Sequence, residues 1–161
     1  MTATAQRPNR TWLWVVLGVG GVFGFGVVFL LVLGGYLYVK DQRLLEQVQV
    51  DTAKLAKRVA ACGAPLPETT QAVPKDVPAK PFNSRPSDWA DPAFTCGGST
   101  FTPSQPQLYR FRWLKESDQQ GRVIAEGDAN FDGKVDTTIE SEVDCTSGAC
   151  DVITPKVTSH F

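Results

Sequence analysis

The arrangement of apolar and polar residues along this chain takes three forms, and each predicts a different element. From Thr11 to Val39 there is no period: 21 of 29 positions are Val, Leu, Phe, Trp or Tyr, seven are Gly, one is Thr, and none is charged. From Lys40 the spacing turns helical. Leu44, Val48, Thr52, Leu55 and Val59 recur in steps of three and four, with Arg43, Glu46, Asp51, Lys54, Lys57 and Arg58 assigned to the other faces. Gly63 and Pro65 are stop signals. Residues 63–92 hold seven of the eleven prolines and predict an extended loop, with Trp89 and Phe94 as anchors at its end. Beyond it the period becomes two. Tyr109, Phe111 and Trp113 alternate with arginines, Arg122–Glu126 follows a turn, and Ile139, Ser141 and Val143 alternate with acids. Asp151–Val157 is expected as a fourth strand, kinked or confined to an edge by Pro155. Consecutive strands with short turns predict an antiparallel meander with one apolar face.

The uncharged run exceeds the roughly 20 residues needed to cross about 30 Å of hydrocarbon. Trp12, Trp14, Tyr36 and Tyr38 stand at its ends, where amphipathic rings suit interfaces. It is about twice the apolar region of a cleaved signal peptide, and some twenty polar residues separate it from the lipobox-like stretch ending at Cys62. The expected organisation is therefore a cytoplasmic N-terminus (1–10), a transmembrane helix (11–39), an amphipathic continuation (40–62), a Pro-rich loop (63–92) and a sheet domain (93–161). An unbroken helix from Thr11 to Cys62 would be about 75 Å long. The fold class is α+β, a long helix, transmembrane then amphipathic, packed on a small antiparallel sheet. Gly20 and Gly24 form a GxxxG pair that lets helices approach closely.

Charge separates the two halves. Residues 1–39 hold only Arg7 and Arg10; the later 122 residues hold the other 14 Lys/Arg and all 17 Asp/Glu, a net −3. That excludes a strongly basic nucleic-acid binder. The four cysteines, Cys62, Cys96, Cys145 and Cys150, all follow the apolar run, and disulfides persist in oxidising compartments. Of three connectivities, Cys145–Cys150 closing a tight loop with Cys62–Cys96 tying down the helix end is favoured over a zinc site, whose ligands would be scattered. The expected placement is the inner membrane, single-pass, with the C-terminal domain periplasmic or extracellular.

Residues 116–151 carry ten acids against Arg122 and Lys134. Within them Asp128, Asn130, Asp132, Gly133 and Asp136 follow the Asp-x-Asn-x-Asp-Gly opening of calcium loops. Hard oxygen ligands from Asp128, Asn130, Asp132 and Asp136, with the Lys134 carbonyl and Glu140, make a candidate Ca2+ set; an Asp/Asn/Gly-rich turn that binds nothing is the rival. An EF-hand would place its closing Glu at Ile139, one residue before Glu140, and would need flanking helices. No catalytic constellation stands out. The single His160 is next to the C-terminus, there is no phosphate loop or HExxH, and Glu140 and Glu142 alternate on an outward strand face. The chain reads as a non-enzyme.

Three stretches carry a family resemblance. Pro106-Gln-Leu-Tyr109-Arg-Phe111-Arg-Trp113 resembles the aromatic strand of pilin-like proteins, and Val123–Gly133, with its Gly127-Asp128 and Asp132-Gly133 pairs, resembles their Gly-Asp-rich segment. With the C-terminal Cys145 and Cys150, the pattern is similar to type IV pilins and type II secretion pseudopilins. Gly24-Phe25 matches their leader cleavage point, but the fifth residue after it is Phe29 in place of Glu. The resemblance implies a pilin-like fold and a structural or interaction protein, a minor or accessory component of a pilus or secretion-type assembly. Its partners would be the membrane, through one helix, and other pilin-like subunits or membrane assembly proteins. The alternative is a single-pass ligand- or calcium-binding module outside any filament.

Overall fold

The computed structural model describes residues 10–98, 100–128 and 132–159, with side chains described at 29–35 and from 42 onward within those ranges up to 158. It contains helix α1 (Arg10–Ala60), a 3-10 turn at Pro86–Trp89, the short helix α2 (Pro92–Thr95) and a second 3-10 turn at Cys96–Gly98. Five strands follow: β1 (Tyr109–Lys115), β2 (Gln120–Gly127), β3 (Thr137–Asp144), β4 (Asp151–Val152) and β5 (Lys156–Ser159). The chain divides into two compact units, Met1–Arg43 and Leu44–Phe161, and the boundary falls within α1.

This corrects the expected fold class and location. Among the described residues no helix is long and apolar enough to cross a membrane. Within the uncharged run, side chains are described only at Phe29–Gly35, seven residues against the roughly 20 needed to span the hydrocarbon. Residues 11–28 and 36–39 of the expected span lie outside the residues whose side chains are described. The reading of one pilin-like rod, membrane helix continuing onto a sheet, gives way to two units, of which only Leu44–Ala60 of the helix belongs with the sheet. The inner-membrane, single-pass placement is corrected with it.

In the second unit the helical stripe and the sheet share one core. Val48, Leu55, Ala56 and Val59 are buried in a cluster with Trp89, Phe94, Phe101, Tyr109, Phe111, Trp113, Val123, Ala125, Ile139 and Val143. Period two does the sorting in the sheet. Trp113 stands opposite Val123, which stands opposite Ser141; Phe111, Ala125 and Ile139 form the next row. Trp89 sits edge-on to Phe94, Phe101 and Phe111, with centroids 5.2, 4.8 and 6.1 Å away. Gly121 keeps the sheet closed at one end, since a Cβ there would lie 2.5 Å from the Leu114 carbonyl oxygen and against the Trp113 ring.

β1, β2 and β3 form an antiparallel meander, and β4 and β5 both pair with β3. The expected fourth strand is thus two short ones divided at 153–155, because Pro155 has no N–H to give the ladder. The other edge is covered by the Pro-rich segment. Val73 exchanges both backbone hydrogen bonds with Phe111 (2.8 and 2.9 Å), Thr70 N–H donates to Trp113 O (3.0 Å), and Phe82 exchanges both with Gln107. An edge strand left bare invites foreign pairing; here the prolines fall between the residues that bond, so the loop covers β1 without becoming a strand.

Both expected disulfides are present. Cys62–Cys96 ties the end of α1 to the turn after α2, and Cys145–Cys150 closes the loop between β3 and β4.

Candidate functional site

The acidic loop between β2 and β3 is organised by its own carboxylates. Asp128 is buried and accepts from the backbone N–H of Asp132 (3.1 Å) and of Gly133 (2.6 Å). Gly133 has φ +86°, a conformation that costs glycine nothing. Asp132 accepts from Lys134 N–H at 2.9 Å. Asp136, also buried, donates its N–H to Gly127 O and accepts from the Thr137 hydroxyl at 3.1 Å. Asp128, Asp132 and Asp136 therefore belong to one loop, whose backbone turn their carboxylates organise.

Glu140 is not brought to that loop. It lies three residues into β3, about 10 Å beyond Thr137, in register with Ile124 and Lys156, and it accepts from Arg122 Nη1 at 3.3 Å. Asn130 lies outside the described residues, and Lys134 is exposed. Among the described residues no three His, Cys, Asp or Glu side chains are grouped to hold a metal ion. Gly20, Gly24 and His160 lie outside the residues whose side chains are described.

Arginine–glutamate pairs lace the outer face of the sheet. Glu126 accepts from Arg110 Nε at 2.7 Å and from Arg112 Nη2 at 3.3 Å. Arg122 is held between Glu116 and Glu140, and the Glu116 hydrogen bond leads in raising its pKa further above the ordinary value. Lys115 pairs with Asp118 (2.8 Å) and Glu68 (2.9 Å), which raise its pKa in that order. Glu140 is thus committed to an arginine rather than poised beside Glu142.

A feature with no signal in the residue pattern is an open groove of about 610 Å³ between the Pro-rich segment and the turn leading to α2. Val73, Pro74 and Phe82 supply its apolar lining, with Lys75, Arg85 and Asp88 at polar positions. Its acids are engaged within the fold. Asp88 accepts from Arg85 N–H at 2.8 Å, and Asp91 caps α2 by accepting from Ala93 N–H at 3.0 Å. Its cations are less engaged. Lys75 makes no side-chain hydrogen bond or ion pair among the described residues, and Arg85, 81% exposed, has one contact to Asp88 at 3.6 Å. Only folding brings residues 71–75 and 82–94 together, so linear spacing could not reveal it.

The first unit shows Phe29, Leu30, Leu31, Val32 and Leu33 in succession, between 43% and 71% exposed. At about 100° per residue, five successive positions face every direction around a helix. No family model matches this chain, and neither a curated protein nor a solved structure does.

Proposed function

We propose that the chain is a structural, non-enzymatic subunit that assembles with further copies through α1, as a minor or accessory component of a pilus or secretion-type assembly. The observation that carries this reading is the apolar ring Phe29–Leu33. A helix apolar on all sides is one that is covered in its working state, and contiguous exposed apolar surface marks an interaction site. The likeness of residues 106–113 and 123–133 to pilin-like segments supports the kind of assembly. A photo-cross-linking residue placed at Leu31 should join two copies helix to helix. Only uncross-linked chain at concentrations where the protein assembles would refute it.

A second reading, a ligand- or calcium-binding module, is favoured by the spacing of Asp128, Asp132 and Asp136 along one loop. Bound there, Ca2+ would rigidify the turn between β2 and β3. Millimolar Ca2+ should then raise the melting temperature of the native chain, and Asp132→Ala should abolish the rise. No rise in the native chain removes the site.

A further inference from the structure

Among the described residues of the second unit, only Val50 and Ile153 expose a large apolar side chain, each 51% exposed. Val50 is an isolated position on α1. Ile153 is not isolated. Its N–H donates to Glu142 O at 2.9 Å, which places it beside Glu142, and Asp151 is two residues before it. Glu142 and Asp151 are exposed, and their carboxylates have no hydrogen bond or ion pair among the described residues. This sheet edge therefore presents one isoleucine flanked by two uncommitted acids.

The groove beside β1 has the complementary make-up: an apolar lining of Val73, Pro74 and Phe82, with Lys75 and Arg85 as its weakly committed charges. The two features lie on opposite edges of one sheet. Residues 70–73 run beside β1, and β4 pairs with β3. Four strand spacings of about 4.8 Å separate them, so Ile153 does not reach its own groove.

We propose that Ile153 of one copy seats in the Val73–Phe82 groove of the next, with Glu142 and Asp151 against Lys75 and Arg85. Such a contact joins two different patches, and a heterologous contact whose rotation does not close propagates as a filament. This deepens the assembly reading, on which it rests, by naming a second interface on the sheet unit and a second copy as its partner.

The test uses the full chain, mixed from normal and nitrogen-15-labelled protein and treated with a zero-length carbodiimide. Expected is a mixed-isotope peptide joining Lys75 to Glu142 or Asp151, with its yield reduced about tenfold or more in Ile153→Arg, in line with losing one buried isoleucine. Lys75→Glu and Asp151→Lys should each weaken the contact alone, and mixing the two variants should restore it through the swapped pair. If the Leu31 cross-link forms while no mixed-isotope Lys75 peptide does, the groove contact is wrong and helix assembly stands. If the Lys75 peptide forms without the Leu31 cross-link, the groove contact stands and the helix reading fails. A Lys75 peptide unaffected by Ile153→Arg, or no rescue on mixing, also overturns the proposal.

Discussion

Asp51 shows how one residue can be placed on the wrong side of a helix by its charge. The step pattern selects Leu44, Val48, Thr52, Leu55 and Val59 and assigns Asp51 to the other faces with the remaining charges. In the structure Asp51 is 2% exposed, within the apolar stripe. Its carboxylate accepts from the Ser104 N–H at 2.7 Å and from Lys54 at 3.2 Å. The carboxylate thus satisfies a backbone donor 53 positions away in the chain, a relation no local pattern encodes. Thr52 is buried in the same stripe and spends its hydroxyl on Val48 O at 2.7 Å. Asp51→Ala should cost about 1–3 kcal/mol by leaving the Ser104 N–H without its acceptor. Thermal unfolding of the variant checks this, and an unchanged melting temperature would mean that the Ser104 segment is held by something else.

At the scale of elements, period-two alternation made β1, β2 and β3 legible, because one sheet face is buried and register is fixed by which residues must point inward. The role of the Pro-rich segment was not legible. Its prolines correctly deny it regular structure, yet hydrogen bonds at Thr70, Val73 and Phe82 make it the cover of the β1 edge and one wall of the groove. The two disulfides act at this scale with different weight. Cys62–Cys96 spans 34 positions and Cys145–Cys150 only 5. Chain-entropy bookkeeping gives about 4 kcal/mol for the longer loop and about 2 kcal/mol for the shorter. Replacing Cys62 and Cys96 by Ser should therefore lower the melting temperature more than replacing Cys145 and Cys150. The reverse order would mean that native-state effects outweigh loop closure.

Asp144, the last residue of β3, accepts a hydrogen bond from the Cys145–Cys150 loop that follows it. The Thr146 side chain first, then its N–H (2.8 Å), then the Gln120 amide (3.0 Å), hold the Asp144 carboxyl below its usual value near 3.8. A carboxylate whose pKa is lower folded than unfolded contributes stability above the unfolded value, and that share is lost as pH falls through the folded one. Thr146→Ala should move the Asp144 titration, followed by NMR, back up toward the ordinary carboxylate value and flatten the acid side of the melting profile. An Asp144 midpoint unchanged in the variant would contradict the assignment.

For the whole molecule, relations marked by loop length or apolar period are legible in the sequence, and those that neither marks are not. The disulfide pairing and the shared core of the Leu44–Ala60 helix and the sheet follow from loop length and apolar period. The division of α1 between two units does not, because hydropathy alone treats 11–62 as one continuous rod. The Asp-rich turn was recognisable from its spacing, but Glu140, one residue off the expected closing position, faces Arg122 instead. The proposed assembly through the apolar ring at Phe29–Leu33 is tested by sedimentation of the native chain beside Leu31→Lys. The native chain is expected to sediment as an assembly and the variant as a smaller species, with the sheet unit's spectrum unchanged. A native monomer, or the same oligomer in both, would contradict it.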